Sequence, residues 1–149
     1  MRIRVKLSTQ SLELYDEFDR ISRTYRISTS RFGPGFTPGS HQTPTGRFRI
    51  AEKHGHGQPL GMIFVSRIAT GRYGAEGDEH DHVQTRLLWL AGLDADNANT
   101  FSRYIYIHGT NAESRLGEPA SFGCVRMANS EVIDLFTRAP IGTPVEIVA

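Results

Sequence analysis

Residues 104–136 read YIYIHGTNAESRLGEPASFGCVRMANSEVIDLF. The stretch opens on an apolar and aromatic run whose composition suits a strand over 104–109. It closes on a helical pattern. Asn129 or Ser130 can cap that helix, Glu131 suits its positive end, and Val132, Ile133, Leu135 and Phe136 recur at helical spacing before Pro140 and Gly142 stop it. On either side of this segment, alternation of period two dominates. Ile3, Val5 and Leu7 share one face of a strand whose other face carries Arg2, Arg4 and Lys6, and STQS turns it into SLELYD as a hairpin. RTYRIS (23–28), GRFRIAE (46–52), MIFVSRI (62–68), RLLWLAG (86–92) and PVEIV (144–148) read as further strands. Residues 33–40 and 55–61 are Gly/Pro-rich punctuation between strands, and 71–84 reads as a long polar surface loop. Many short strands with one short helix after the cysteine predict a mainly β, sandwich- or barrel-like fold, with residues 1–149 forming a single domain.

Composition narrows the function classes. With 149 residues, 38% hydrophobic and 22% charged, the chain matches an ordinary globular domain. Its 17 basic and 16 acidic residues leave a net charge of +1, and no basic cluster is present, which argues against nucleic acid as a partner. No run approaches the ~20 apolar residues of a membrane span. The opening MRIRVKLSTQ has charges but neither an apolar core nor a cleavage site, so it does not read as a signal peptide.

The chain holds one cysteine, Cys124. It has no partner for an internal disulfide and no companions for a multi-cysteine zinc site, so it is either a small buried hydrophobe or a reactive thiol. An unperturbed thiol, with a pKa near ~8.5, is mostly protonated at neutral pH and needs a base or a cation beside it. His108, at the end of the YIYI strand, can be that base, and Arg126 can supply positive charge. Gly123 lets the backbone approach a carbonyl, so the amides of Gly123 and Cys124 can form an oxyanion hole.

Other residues invite weaker readings. His54-Gly55-His56 and His80-Asp81-His82 resemble metal pairs, but their Gly-rich contexts favour solvated loops, and no metal or cofactor is expected. His41 can line a cleft. Tyr106, with Tyr104 on the same predicted face, can bound a groove or fill core, and Trp89 suits core. Thr43, Pro44 and Thr45 suggest a structural turn, and Asn129 a helix cap.

The run IHGTN followed by SFGCVRMAN closely resembles the catalytic motif of the YkuD-type L,D-transpeptidase family, and GSHQTPTGRFRI (39–50) resembles the same family's TPTG segment. The resemblance covers at least residues 39–148. It implies that Cys124 is the nucleophile, His108 its general base and Gly123 part of the oxyanion hole. Arg126 would order the catalytic loop or meet a substrate carboxylate, while Ser121 and Gly109 would shape the pocket. Many members carry a histidine where this chain has Phe122, which can alter acceptor choice. The implied reaction is acyl transfer from a peptidoglycan tetrapeptide stem, through a thioester, to an amine, water or a D-amino acid. Carbapenem-type β-lactams are the implied covalent inhibitors, and the cell envelope or periplasm the implied compartment. Two other readings are a sortase-like thiol transpeptidase, in which HGTN and TPTG have no role, and a cell-wall binding module, which needs no thiol.

Overall fold

The computed structural model describes residues 1–78 and 80–149. Its described strands are β1 (Arg2–Lys6), β2 (Ser11–Tyr15), β3 (Ile21–Ser28), β4 (Gly46–His54), β5 (Met62–Val65), β6 (Ile68–Tyr73), β7 (Val83–Gly92), β8 (Tyr106–Gly109), β9 (Val125–Met127) and β10 (Pro144–Val148). One α-helix, α1 (Asn129–Arg138), follows β9. The strands form one sheet in the order β4-β10-β1-β2-β3-β9-β8-β7-β5-β6. An additional β4–β7 pairing closes the sheet into a barrel and leaves β5 and β6 as a hairpin extending from it. Closure pairs the β4 edge and leaves β6 as the edge strand of the sheet.

The alternation read in the sequence decides what lies inside. Ile3, Val5, Leu12 and Leu14 face the core from the β1–β2 hairpin, joined by Phe48 and Ile50 of β4 and Leu88 and Leu90 of β7. Ile107 of β8, Val125 and Met127 of β9, and Val132, Leu135 and Phe136 of α1 complete one continuous apolar cluster. The pairings of β1 with β10 and of β8 with β9 are parallel, and the other strand pairings are antiparallel.

Four local expectations are corrected. The run 62–68 is not one strand; it folds back between Val65 and Ile68, with Ser66 and Arg67 at φ 49° and 65°. Two left-handed residues match the twist of a two-residue hairpin, but the Asn-Gly signature that betrays such a turn is missing here. Residues 71–84 are not all loop, since Gly71–Tyr73 complete β6 and Val83 and Gln84 begin β7. Strand β9 is only three residues long and pairs with both β3 and β8, too short for period to reveal it. Asn129 does not cap α1. The N-cap position falls on Ala128 and lacks a side-chain bond, while Asn129 is buried and bonds to Gln84 and Thr85 of β7 and to Thr110 after β8.

Candidate active site

Parallel pairing of β8 with β9 aligns Ile107 with Val125 and His108 with Arg126. Ile107 and Val125 point into the core cluster, so Tyr106, His108, Cys124 and Arg126 occupy the opposite face. On that face Leu87, Trp89 and Tyr106 form a second apolar cluster, against which the half-buried Cys124 packs. Cys124, one residue before β9, therefore lies beside Tyr106, with His108 two residues further along the same face of β8.

The loop carrying Cys124 is tied down at several points. The Ser121 hydroxyl donates to the Cys124 carbonyl at 2.7 Å and accepts the Gly123 N–H at 3.2 Å. The Thr43 hydroxyl donates to the Gly123 carbonyl at 2.9 Å and accepts the Ser30 N–H at 3.0 Å. Gly123 has φ 122°, a region L side chains rarely adopt, and a β-carbon there would lie 3.4 Å from the Gln42 carbonyl oxygen. Thr43, read from the sequence as part of a turn, thus holds the cysteine loop directly.

The sulfur has backbone partners on both sides: the Tyr106 N–H donates to Sγ at 3.3 Å, and the thiol donates to the Tyr104 carbonyl at 3.4 Å. Tyr104 was expected on strand β8 beside Tyr106. It instead lies before the strand with φ 58°, and its exposed ring stacks on Trp89 at 5.7 Å. Its left-handed backbone is what brings its carbonyl within reach of the thiol. Burial pushes the Cys124 pKa up to about 11; the Tyr106 N–H, Arg126 and Arg103 oppose that shift, and Asp81 adds to it.

His108 is only 2% exposed. Its Nδ1 lies 2.6 Å from the Gly109 carbonyl oxygen, which can only accept, so Nδ1 carries the proton and Nε2 is the basic nitrogen. Burial, more than any other influence, lowers its pKa, and the Arg126 charge lowers it further, while Asp81 and the Gly109 carbonyl pull it up. The imidazole is consequently neutral at pH 7, as a general base requires. Gly109 is glycine for lack of room: a β-carbon would meet the Asn129 Oδ1 and the Gln84 carbonyl oxygen, each at 2.6 Å. Asn129 accepts from Gln84 Nε2 at 3.0 Å and from the Thr85 hydroxyl at 2.6 Å, and donates to the Thr110 carbonyl at 2.9 Å. It locks α1 to the strand that delivers His108.

Arg126 is 4% exposed and pairs with Asp81 at 2.8 Å, while its buried Nε has no partner. Asp81 was seen in the sequence only as the middle of a His-Asp-His triplet; its role as the arginine's counter-ion was not legible there. The flanking histidines serve the loop. His82 Nε2 lies 2.8 Å from Asp78 Oδ2, and its N–H donates to Asn111 Oδ1 at 3.1 Å. Asn111, in the HGTN run, returns a bond to the His80 carbonyl at 2.8 Å. His54 lies 2.8 Å from Glu52. Among the described residues no group of three or more His, Cys, Asp and Glu side chains converges as a metal site would need.

Two cavities flank the cysteine loop. One, of about 310 Å³, is lined by Arg31, His80, Asp81, Arg115, Phe122 and Arg126 among others. The second, of about 270 Å³, is lined by Pro38, His41, Arg103, Ile105 and Phe122 among others. Phe122 is common to both and 43% exposed. The Arg31 guanidinium sits over its ring at 4.3 Å, and the His41 ring meets it edge-on at 5.8 Å. Arg103, which the sequence did not single out, donates to the Gln42 carbonyl at 2.7 Å and to the Gly35 carbonyl at 3.3 Å.

A family model and solved structures match nearly all of this chain, and curated relatives match part of it. The family model described as the L,D-transpeptidase catalytic domain matches residues 1–147. A putative L,D-transpeptidase of Bacillus subtilis, YqjB, is 48% identical over 59 residues, covering 40% of this chain and 32% of the relative. The crystal structure of an L,D-transpeptidase from Xylanimonas cellulosilytica superposes with a TM-score of 0.61 at 20% identity, covering 98% of this chain and 59% of that one. The structure of the L,D-transpeptidase LdtMt1 in complex with imipenem gives 0.63 at 17% identity, covering 98% and 57%. The chain thus spans about a third of the relative's length and under two thirds of either solved chain. With nearly every residue inside the matching model and the cysteine, histidine and arginine of the motif gathered on one sheet face, the chain belongs to the YkuD family of L,D-transpeptidase catalytic domains.

Proposed function

We propose that this domain is a peptidoglycan L,D-transpeptidase in which Cys124 is the nucleophile and His108 the general base. The observation that carries the reading is the shared face of β8 and β9: the His108 Nδ1 is held by the Gly109 carbonyl, leaving Nε2 basic, two residues along from the Tyr106 N–H that reaches Sγ. Because Cys124 is pushed up to about 11 and His108 is pushed down, the resting pair is thiol and neutral imidazole rather than a preformed ion pair. Proton transfer accompanies attack.

In the proposed sequence, the Cys124 sulfur bonds to the carbonyl carbon at the L-centre of a tetrapeptide stem while His108 takes the thiol proton. The amide C–N bond breaks, and the same proton goes to the departing terminal D-amino acid. The resulting thioester is attacked by an amine of a second stem, by water, or by a D-amino acid, and the thiol is regenerated. Backbone N–H groups at Gly123 and Cys124 would meet the oxyanion; the Gly123 N–H now rests on the Ser121 hydroxyl and would exchange that partner for the developing charge. Arg126, with its unpartnered Nε beside the larger cavity, suits a substrate carboxylate there. Phe122 divides the two cavities and so would govern how donor and acceptor stems share the site.

The sortase-like reading leaves HGTN and TPTG idle, whereas Asn111 anchors the 80–82 loop and Thr43 the cysteine loop. The solved relative in complex with imipenem supports carbapenem-type β-lactams as covalent inhibitors of Cys124. A peptidoglycan substrate would put the reaction in the cell envelope, which membership of the family supports. No described helix is long and apolar enough to cross a membrane. The test is mass analysis of tetrapeptide muropeptides incubated with the protein, with and without an added D-amino acid. Loss of the terminal D-residue, with exchange when the D-amino acid is added, supports the reading; unchanged muropeptides end it.

A further inference from the structure

Two guanidinium groups, those of Arg126 and Arg103, favour the negative form of the cysteine, and they differ in what else they hold. Arg126, the motif arginine, is paired with Asp81 at 2.8 Å, so the two charges largely cancel at the distance of the sulfur. Arg103 forms no ion pair among the described residues. Its hydrogen-bond partners are the carbonyls of Gly35 and Gln42, which fix the group without neutralising it. It occupies the wall of the cavity of about 270 Å³ that also contains His41 and Phe122. The next residue along the chain, Tyr104, offers its carbonyl to the thiol. The Gln42 carbonyl that Arg103 grips is the same one on which Gly123 packs.

We infer that Arg103 is the positioning residue that supplies the uncompensated positive charge for the Cys124 thiolate, while clamping the 35–42 loop against the cysteine loop. The inference rests on the acyl-transfer reading of this site and names a part of its machinery outside the recognised motif. Other charged and titratable groups surround this site. Asp81 disfavours the thiolate and Arg126 favours it, Tyr106 and His108 lie on β8, and Arg67, from the β5–β6 turn, covers the Trp89 and Tyr104 rings at 4.7 and 5.5 Å. Burial depresses the Arg103 pKa and the cysteine's negative form raises it, as expected of a buried cation facing an anion.

The test is the pH dependence of Cys124 alkylation by iodoacetamide, a neutral reagent, in the wild-type chain and in Arg103→Lys and Arg103→Met. Arg103→Met should move the midpoint up by about one unit, the lower end of the effect of losing one nearby opposite charge. Arg103→Lys should stay close to wild type because the charge remains even though the two-carbonyl clamp is lost. Equal shifts in both variants, or no shift in Arg103→Met, would overturn the inference. Thermal melting of both variants confirms that folded protein is being alkylated, and Lys alone decides the matter if Met does not fold: a midpoint raised as far as half a unit rejects the charge role. Alkylation does not depend on the substrate, so failure to process muropeptides would count against the acyl-transfer reading and leave the alkylation result standing.

Discussion

The two faces of β8 and β9 are buried to similar depth for opposite ends. Inward, Ile107, Val125 and Met127 are fully enclosed within one apolar core. Outward, His108 and Arg126 are nearly as enclosed, yet they carry a basic nitrogen, an unpartnered guanidinium Nε and a pair with Asp81. Burial on the first face stabilises by removing apolar area from water. On the second it displaces pKa values and keeps polar groups unsatisfied, a cost borne where chemistry is to be done. A single residue step along β8, half a strand period, separates the two outcomes: Ile107 belongs to the core, and His108 to the proposed site.

The largest test of this contrast is Cys124→Ala. It removes one small group, so the melting temperature should stay close to wild type while acylation by a carbapenem, read by intact mass, disappears. An adduct of unchanged mass in the variant would place the reactive group elsewhere. Ile107→Ala on the opposite face should do the reverse, costing about 2–5 kcal/mol of stability by denaturant titration. The alkylation midpoint of its folded fraction should remain that of wild type, and a moved midpoint would show the faces to be coupled. Asp81→Asn comes next. Asp81 disfavours the thiolate, so its removal lowers the Cys124 pKa and leaves Arg126 uncompensated. Alkylation should then be faster at a given pH below the midpoint, by several-fold for a shift of about half a unit; slower alkylation contradicts the charge-cancelling role.

His108 predicts the pH profile. Its pKa is depressed, so the base stays unprotonated below the usual imidazole value, and the acid limb of kcat/KM should fall below ~6.5. An acid limb above that value is incompatible with burial as the leading influence. The smallest effect is expected from replacing His80 and His82 together. Both bond to Asp78, and among the described residues no third ligand joins them, so turnover should change by no more than a few-fold, and a chelator should have no effect. A large loss restored by added metal would revive the metal reading.

Much of this molecule could be read without coordinates because strand alternation and motif residues are local. Period alone puts Ile3, Val5 and Leu7 on one face, of which Ile3 and Val5 are fully buried and Leu7 packs partly buried against the core, and α1 begins within a residue of its expected start. Where the reading failed, the deciding interaction was non-local. Asn129 looked like a cap because it stands at the helix start, but Thr110, Gln84 and Thr85 claim its side chain. The Ser66-Arg67 turn has left-handed backbone without a glycine, so nothing in its composition announced it.

The sequence by itself determined the strand-rich class and the identity of the thiol, imidazole and motif guanidinium, since each is written in residue type and short spacing. Tertiary structure alone decided which charges those groups experience. Asp81 lies 45 positions before Arg126 in the chain, and Gln42 lies 61 before Arg103, yet folding sets each pair within hydrogen-bond reach. Electrostatic influence depends on distance through space and on burial, and neither quantity is carried by order along the chain.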